Sequence, residues 1–118
     1  MSAGIARTPP PPYYAVVFTS RRAAVDEEGY VRMAAEMETL VARQPGYLGM
    51  ESVRSAERVG ITVAYFVDEP SIGSWKRQQD HRVAQGLGRE RWDEAYSVRV
   101  CRVERAYAWA RDPEDAVR

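Results

Sequence analysis

Hydrophobic and polar positions recur along this chain with two different periods, and the changes of period mark out its elements. The stretch 61–67 (ITVAYFV) is β-branched and aromatic on both alternating sets, which predicts a strand buried on both faces. The stretch 13–19 (YYAVVFT) has the same character and predicts a first strand. Tyr30, Met33, Met37, Leu40 and Val41 recur at helical spacing. They predict a helix over about 27–44, capped by Asp26 and stopped by Pro45-Gly46. The stretch 47–54 reads as a second strand, and the short connection 55–58 joins it to 61–67 in a hairpin.

After the third strand, Asp68-Glu69-Pro70-Ser71 supplies a helix start: an acceptor for free N–H groups, acids at the positive end, and a proline early enough to do no harm. Ile72, Trp75, Gln79 and Val83 follow at helical spacing. Breaks are expected near Asp80, which can cap a second helical piece, and around 86–88. His81, Gln85, Arg89 and Trp92 recur about one turn apart and would share a side. The stretch 96–109 predicts a long fourth strand with a change of phase. Its apolar set begins as Tyr96, Val98 and Val100 and continues as Cys101, Val103, Tyr107 and Trp109. A shift of one residue turns every side chain to the opposite face, so a bulge or a change of neighbour is expected at 100–102.

The order is β-α-β-β-α-β, which predicts an α+β, ferredoxin-like domain over 13–110: a four-stranded antiparallel sheet with two helices on one face. The first and third strands are apolar on both faces, yet the helices cover only one. The uncovered face needs a partner, and a second copy related by two-fold symmetry is the simplest, so a homodimer is expected. Residues 1–12, ending in Pro9–Pro12, read as a disordered, extended tail acting as a passive spacer. Residues 111–118 are charged and expected to fray.

Size and composition narrow the function classes. At 118 residues the chain holds one core, and 45% hydrophobic with 29% charged residues is ordinary for a globular protein. Net charge is zero, which removes any broad electrostatic case for nucleic acid or anionic lipid. All basic residues except Lys76 are arginine, a habit attributed to base composition. Cys101 is the single cysteine, which excludes an intrachain disulfide and fits a reducing compartment. No apolar run is long enough to span a membrane and the N-terminus lacks a signal-peptide core, so the expected location is cytoplasmic.

Candidate chemistry gathers around the second helix. Trp75 reads either as a core anchor between helix and sheet or as a pocket wall. His81, the one histidine, is either a surface or hydrogen-bonded group or an acid, base or axial ligand. Gln85, Arg89 and Trp92 form a solvated rim or, as a site, would orient a carbonyl, stabilise an enolate or phenolate, and cover a flat ring. Tyr14, Tyr65 and Phe66 are either core or the wall of a helix-covered cavity. One His and one Cys exclude an ordinary His-rich metal site within a single chain. There is no GxGxxG, phosphate loop or HExxH, and Ser74 and His81 lack an evident acid partner.

The succession Tyr47-Leu48-Gly49, a strand ending in Tyr65-Phe66, the start Glu69-Pro70, Trp75, then His81, Gln85, Gly88-Arg89 and Trp92 resembles the antibiotic biosynthesis monooxygenase domain, over roughly 13–109. The resemblance implies a dimeric α+β barrel in which the helix Trp lines a cavity. It implies a cofactor-independent oxygenase acting on a flat phenolic or polyketide-type small molecule, with His81, Gln85 and Arg89 catalytic and Trp75, Trp92, Tyr65, Tyr14 and Phe66 binding substrate. Its haem-degrading branch implies an alternative with haem as cofactor and His81 as axial ligand. In that branch the ligand lies about ten positions after the Trp, where this chain has Gln85. Both kinds of enzyme use an Asn, and this chain has none, so neither catalytic set carries over intact. A non-catalytic dimeric module that binds small molecules is the third reading.

Overall fold

The computed structural model describes residues 4–24, 27–84 (backbone only for 81–84) and 93–112. The element order is β1 (Tyr13–Arg22), α1 (Glu27–Ala42), β2 (Tyr47–Arg54), β3 (Val59–Phe66), α2 (Glu69–Ala84) and β4 (Asp93–Val103). The strands form one antiparallel sheet in the order β2-β3-β1-β4, the ferredoxin-like arrangement the alternation predicts. Both doubly apolar strands are therefore central, and the two mixed strands are the edges. No helix among the described residues is long and apolar enough to cross a membrane.

Register assigns every strand residue a side. Val41 of α1 and Trp75 of α2 form one core with Ala64 and Phe66 of β3, and Phe66 is wholly buried. Even-numbered positions of β3 thus face the helices, and their partners across the sheet share that side. Four rows result: Arg54-Gly60-Ser20-Tyr96, Ser52-Thr62-Phe18-Val98, Met50-Ala64-Val16-Val100, and Phe66-Tyr14-Arg102. On α1, the stripe Tyr30, Met33, Met37, Leu40 and Val41 is the covered face, as its periodicity predicts.

The helix start at Asp68 holds as expected. Its Oδ1 accepts from Ser71 N–H at 2.9 Å and from Ser71 Oγ at 2.6 Å, and these two bonds hold its carboxyl below the usual range. Asp26, the proposed cap of α1, lies outside the described residues. Gly46, at φ +85°, turns the chain out of α1, and its carbonyl accepts Val67 N–H at 2.8 Å.

Three expectations are corrected. The helix does not break at Asp80: α2 runs unbroken through Ala84, and Asp80 instead pairs with Lys76 one turn back at 3.3 Å. No bulge occurs at 100–102, because the β1–β4 register is continuous from Tyr13↔Val103 to Arg21↔Ala95 and shifts only between Arg21 and Arg22. The change of phase has another cause. The row Tyr96, Val98 and Val100 faces the helix side, Cys101 and Val103 face the other, and Tyr107 and Trp109 lie past the strand's end. The third correction concerns the N-terminus. From Gly4 onward it lies against the sheet instead of hanging free: Ala6 N–H donates to Glu51 Oε2 at 3.0 Å and Thr8 Oγ1 to Tyr13 Oη at 2.9 Å. Of the expected C-terminal tail, only Arg111 and Asp112 are described.

Candidate functional site

Among the described residues α1 packs on β2 and α2 on β3, which leaves the helix side of β1 and β4 as a partly open floor. Phe18 and Tyr96 stand there with ring centroids 5.5 Å apart and planes tilted 35°. Val98 and Val100 continue the floor while still 46% and 51% exposed. An apolar, aromatic surface on the helix side of a small sheet is where a flat ligand can lie.

One end of this floor is electropositive. Arg54 stands directly across from Gly60, whose missing side chain lets the guanidinium lie flat over β3; a Cβ there would sit 2.6 Å from Arg54 Cζ. Arg54 thereby reaches Ser20 Oγ at 3.1 Å, and its other end donates to Arg58 O at 2.7 Å. Ser20 is buried and paired with Tyr96. Arg22 and Arg54 both lie against the Tyr30 ring, their Cζ atoms 4.6 and 5.3 Å from its centroid. Arg22 pairs with the exposed Glu27 at 3.1 Å, and Arg58 Nε donates to Arg22 O at 2.9 Å.

The sequence-predicted site residues fall in different places. Trp75 is 9% exposed and belongs to the core with Val41, Ala64 and Phe66. Phe66 is core as well, edge-on to Tyr47 at 6.0 Å. Tyr14 is half-buried on the helix side, in the row with Phe66 and Arg102. Tyr65 is a correction: it points to the opposite face, because neighbours on a strand alternate and Ala64 and Phe66 take the helix side. There its hydroxyl donates to Glu51 Oε1 at 2.7 Å and its ring meets Tyr13 edge-on at 5.8 Å. Burial, and then the bond to Glu51, push the Tyr65 phenol well above its ordinary value. His81 is in α2, with only its backbone described. Gln85, Arg89 and Trp92 lie outside the described residues.

The group that sequence reading missed is Ser20, Arg22, Tyr30 and Arg54. Its one signal was Gly60 inside an otherwise β-branched strand, which marks a close approach; the arginines were absorbed into a compositional trend. An open groove of about 670 Å³ runs outside β2 between the N-terminal segment and α1, lined by Ile5, Arg7, Thr39, Arg43, Tyr47 and Met50 among others. It contains none of the predicted site residues and lies off the helix-side floor.

No protein-family model matches the chain. Among solved structures, SnoaB, a cofactor-independent oxygenase from Streptomyces nogalater, is similar with a TM-score of 0.67 at 12% identity, over 81% of this chain and 97% of SnoaB. A candidate antibiotic biosynthesis monooxygenase from Nitrosomonas europaea is similar at TM-score 0.64 and 12% identity, over 77% of this chain and 89% of that one. A dimeric ferredoxin-like protein of unknown function from Thermobifida fusca is similar at TM-score 0.64 and 11% identity, over 85% of this chain and 100% of that one. These identities establish a shared fold. The sequence comparison is stronger: the uncharacterized protein YqjZ of Bacillus subtilis is 42% identical over 111 residues, 94% of this chain and 96% of YqjZ. The chain therefore belongs to the family of YqjZ, built on the fold of the antibiotic biosynthesis monooxygenases.

Proposed function

We propose that this protein is a homodimeric, cofactor-independent monooxygenase whose substrate is a flat phenolic or polyketide-type small molecule. The observation that carries the reading is the floor of Phe18, Tyr96, Val98 and Val100, an apolar surface left open on the helix side of a fold shared with a cofactor-independent oxygenase. His81, or a water held by Gln85, takes a proton from an activated methylene or phenol, and Arg89 holds the resulting anion. The electron-rich carbanion reduces O2 and bonds to it, and a proton completes the hydroperoxide. Loss of water then leaves a carbonyl, so one oxygen atom enters the product and the other departs as water. The chain has no Asn, and anion stabilisation falls to Arg89 and Gln85 instead.

The homodimer is supported by the other side of the sheet. Val53, Val59 and Ile61 stand there 76%, 40% and 48% exposed, beside Val17 and Val63. Beyond β4, Tyr107 is fully exposed and Trp109 76% exposed. A contiguous apolar face of this kind is what a second copy would cover.

Oxygen uptake by the purified protein over a panel of anthrones and phenols tests the proposal. Uptake should be insensitive to chelators and lost in the double variant His81→Ala/Arg89→Ala. Uptake that requires added metal, or that survives both changes, refutes it.

A further inference from the structure

We infer that Arg22 and Arg54, with Ser20 and Tyr30, form a carboxylate-binding subsite that anchors an aromatic acid whose ring lies on Phe18 and Tyr96. Two guanidinium groups share one tyrosine ring, although like charges repel. The ring's negative face offsets part of that repulsion. Arg22 has the exposed Glu27 and stands across β1–β4 from Asp93, whereas among the described residues Arg54 bonds no carboxylate and donates to neutral oxygens of Ser20 and Arg58. Arg22 Nε–H is buried and has no acceptor among the described residues, the one side-chain donor in that condition. A half-buried pair of guanidiniums with unspent N–H groups is complementary to a planar oxyanion, which accepts two of them at once.

Position selects the class of anion. The row Arg54-Gly60-Ser20-Tyr96 runs straight across the sheet, so the guanidinium held on Ser20 Oγ ends where the aromatic floor begins. A ring on Phe18 and Tyr96 would carry its carboxylate to Ser20 and Arg54, with Arg22 beside it over Tyr30. A bare phosphate would leave the floor unused, and a neutral amide would leave the charges unmatched. Gly60 is what makes the arrangement possible, because any Cβ there meets Arg54. The subsite names the acid end of the substrate in the proposed function and rests on that reading only for the reaction, not for binding.

The experiment uses the full-length, 15N-labelled protein titrated with 1-naphthoate, 1-naphthamide and inorganic phosphate. It follows the Arg side-chain Nε–H resonances by NMR and the affinity by calorimetry. Naphthoate should move the Arg22 and Arg54 signals and bind at least about tenfold more tightly than either of the other two, the size of a charge-assisted hydrogen bond. Arg54→Gln should lose about tenfold or more in affinity and Arg54→Lys less. Gly60→Ala, which keeps every charge but displaces the guanidinium, should weaken naphthoate with its circular dichroism retained. Equal binding of acid and amide, phosphate as tight as naphthoate, or an unaffected Arg54→Gln overturns the subsite. Should Arg54→Gln fail to fold, the wild-type shifts and Gly60→Ala still decide. Naphthoate binding without any oxygen uptake would sink the proposed reaction and leave the subsite standing; oxygen uptake without naphthoate binding would do the reverse.

Discussion

Replacing Trp75 by alanine separates a core anchor from a pocket wall. The indole is 9% exposed and packs with Val41, Ala64 and Phe66, so almost all of its surface leaves water on folding. A tryptophan buries about 200 Å², which at ~25 cal/mol/Å² is worth about 5 kcal/mol. Relaxation around the cavity and compactness of the unfolded chain reduce the expected loss to about 3–5 kcal/mol. A domain of this size has a total stability of about 5–15 kcal/mol, so the variant should fold marginally. Urea unfolding followed by far-ultraviolet circular dichroism reads the difference. With a slope of about 1.5 kcal/mol/M, the midpoint should fall by roughly 2–3 M. Trp109→Ala is the control: at 76% exposure its cost should stay within about 0.5 kcal/mol at high dilution. The titrations should be repeated at several protein concentrations, because association adds to apparent stability. A Trp75→Ala loss under about 1 kcal/mol would refute the core assignment and return the residue to a ligand-facing wall.

Three further outcomes follow from particular contacts. Gly46→Ala should lose more than about 1 kcal/mol in the same assay. The backbone there has φ +85°, and a Cβ would press on Ser71 Oγ and come within 2.9 Å of Val67 Cγ2; an unchanged midpoint would show that this turn tolerates a side chain. Charging the helix-free face with Ile61→Glu and Val63→Arg should convert the proposed dimer to monomer by sedimentation at micromolar concentration, and a wild-type monomer there would refute the dimer proposal. Tyr65 should ionise last among the tyrosines in a near-ultraviolet phenolate titration, and Tyr65→Phe should delete that step. Its folded value lies above the ordinary value of about 10 through burial and the Glu51 bond, so its contribution is complete below pH 10 and is lost as pH rises further. Simultaneous titration of all tyrosines would contradict it.

Local pattern determined a great deal here. Strand and helix periods, the Asp68 cap and the Pro45-Gly46 stop are each set within a few residues, because hydrogen bonds and steric limits act at that range. They were legible one element at a time. The site was legible only in part. Trp75 could be placed on a helix stripe, but whether that stripe met core or cavity depended on how far α2 overhangs the sheet. Tyr65 and Phe66 are adjacent in sequence and differ in surroundings because register sends one to each face. The apparent phase change in the last strand arose because its apolar residues lie on both faces and continue past its end at Val103.

What tertiary structure alone decided is the meeting of residues distant in the chain. Arg22, Tyr30, Arg54 and Gly60 are spread over four elements and become one group because the sheet order β2-β3-β1-β4 brings β2 and β1 to either side of β3. A guanidinium can then cross the gap that a glycine leaves. Sequence states which side chains are charged or aromatic, since that is a property of each residue. Whether like charges are dispersed in solvent or gathered beside an apolar floor is a matter of distance, and distance is fixed only when the strands pair.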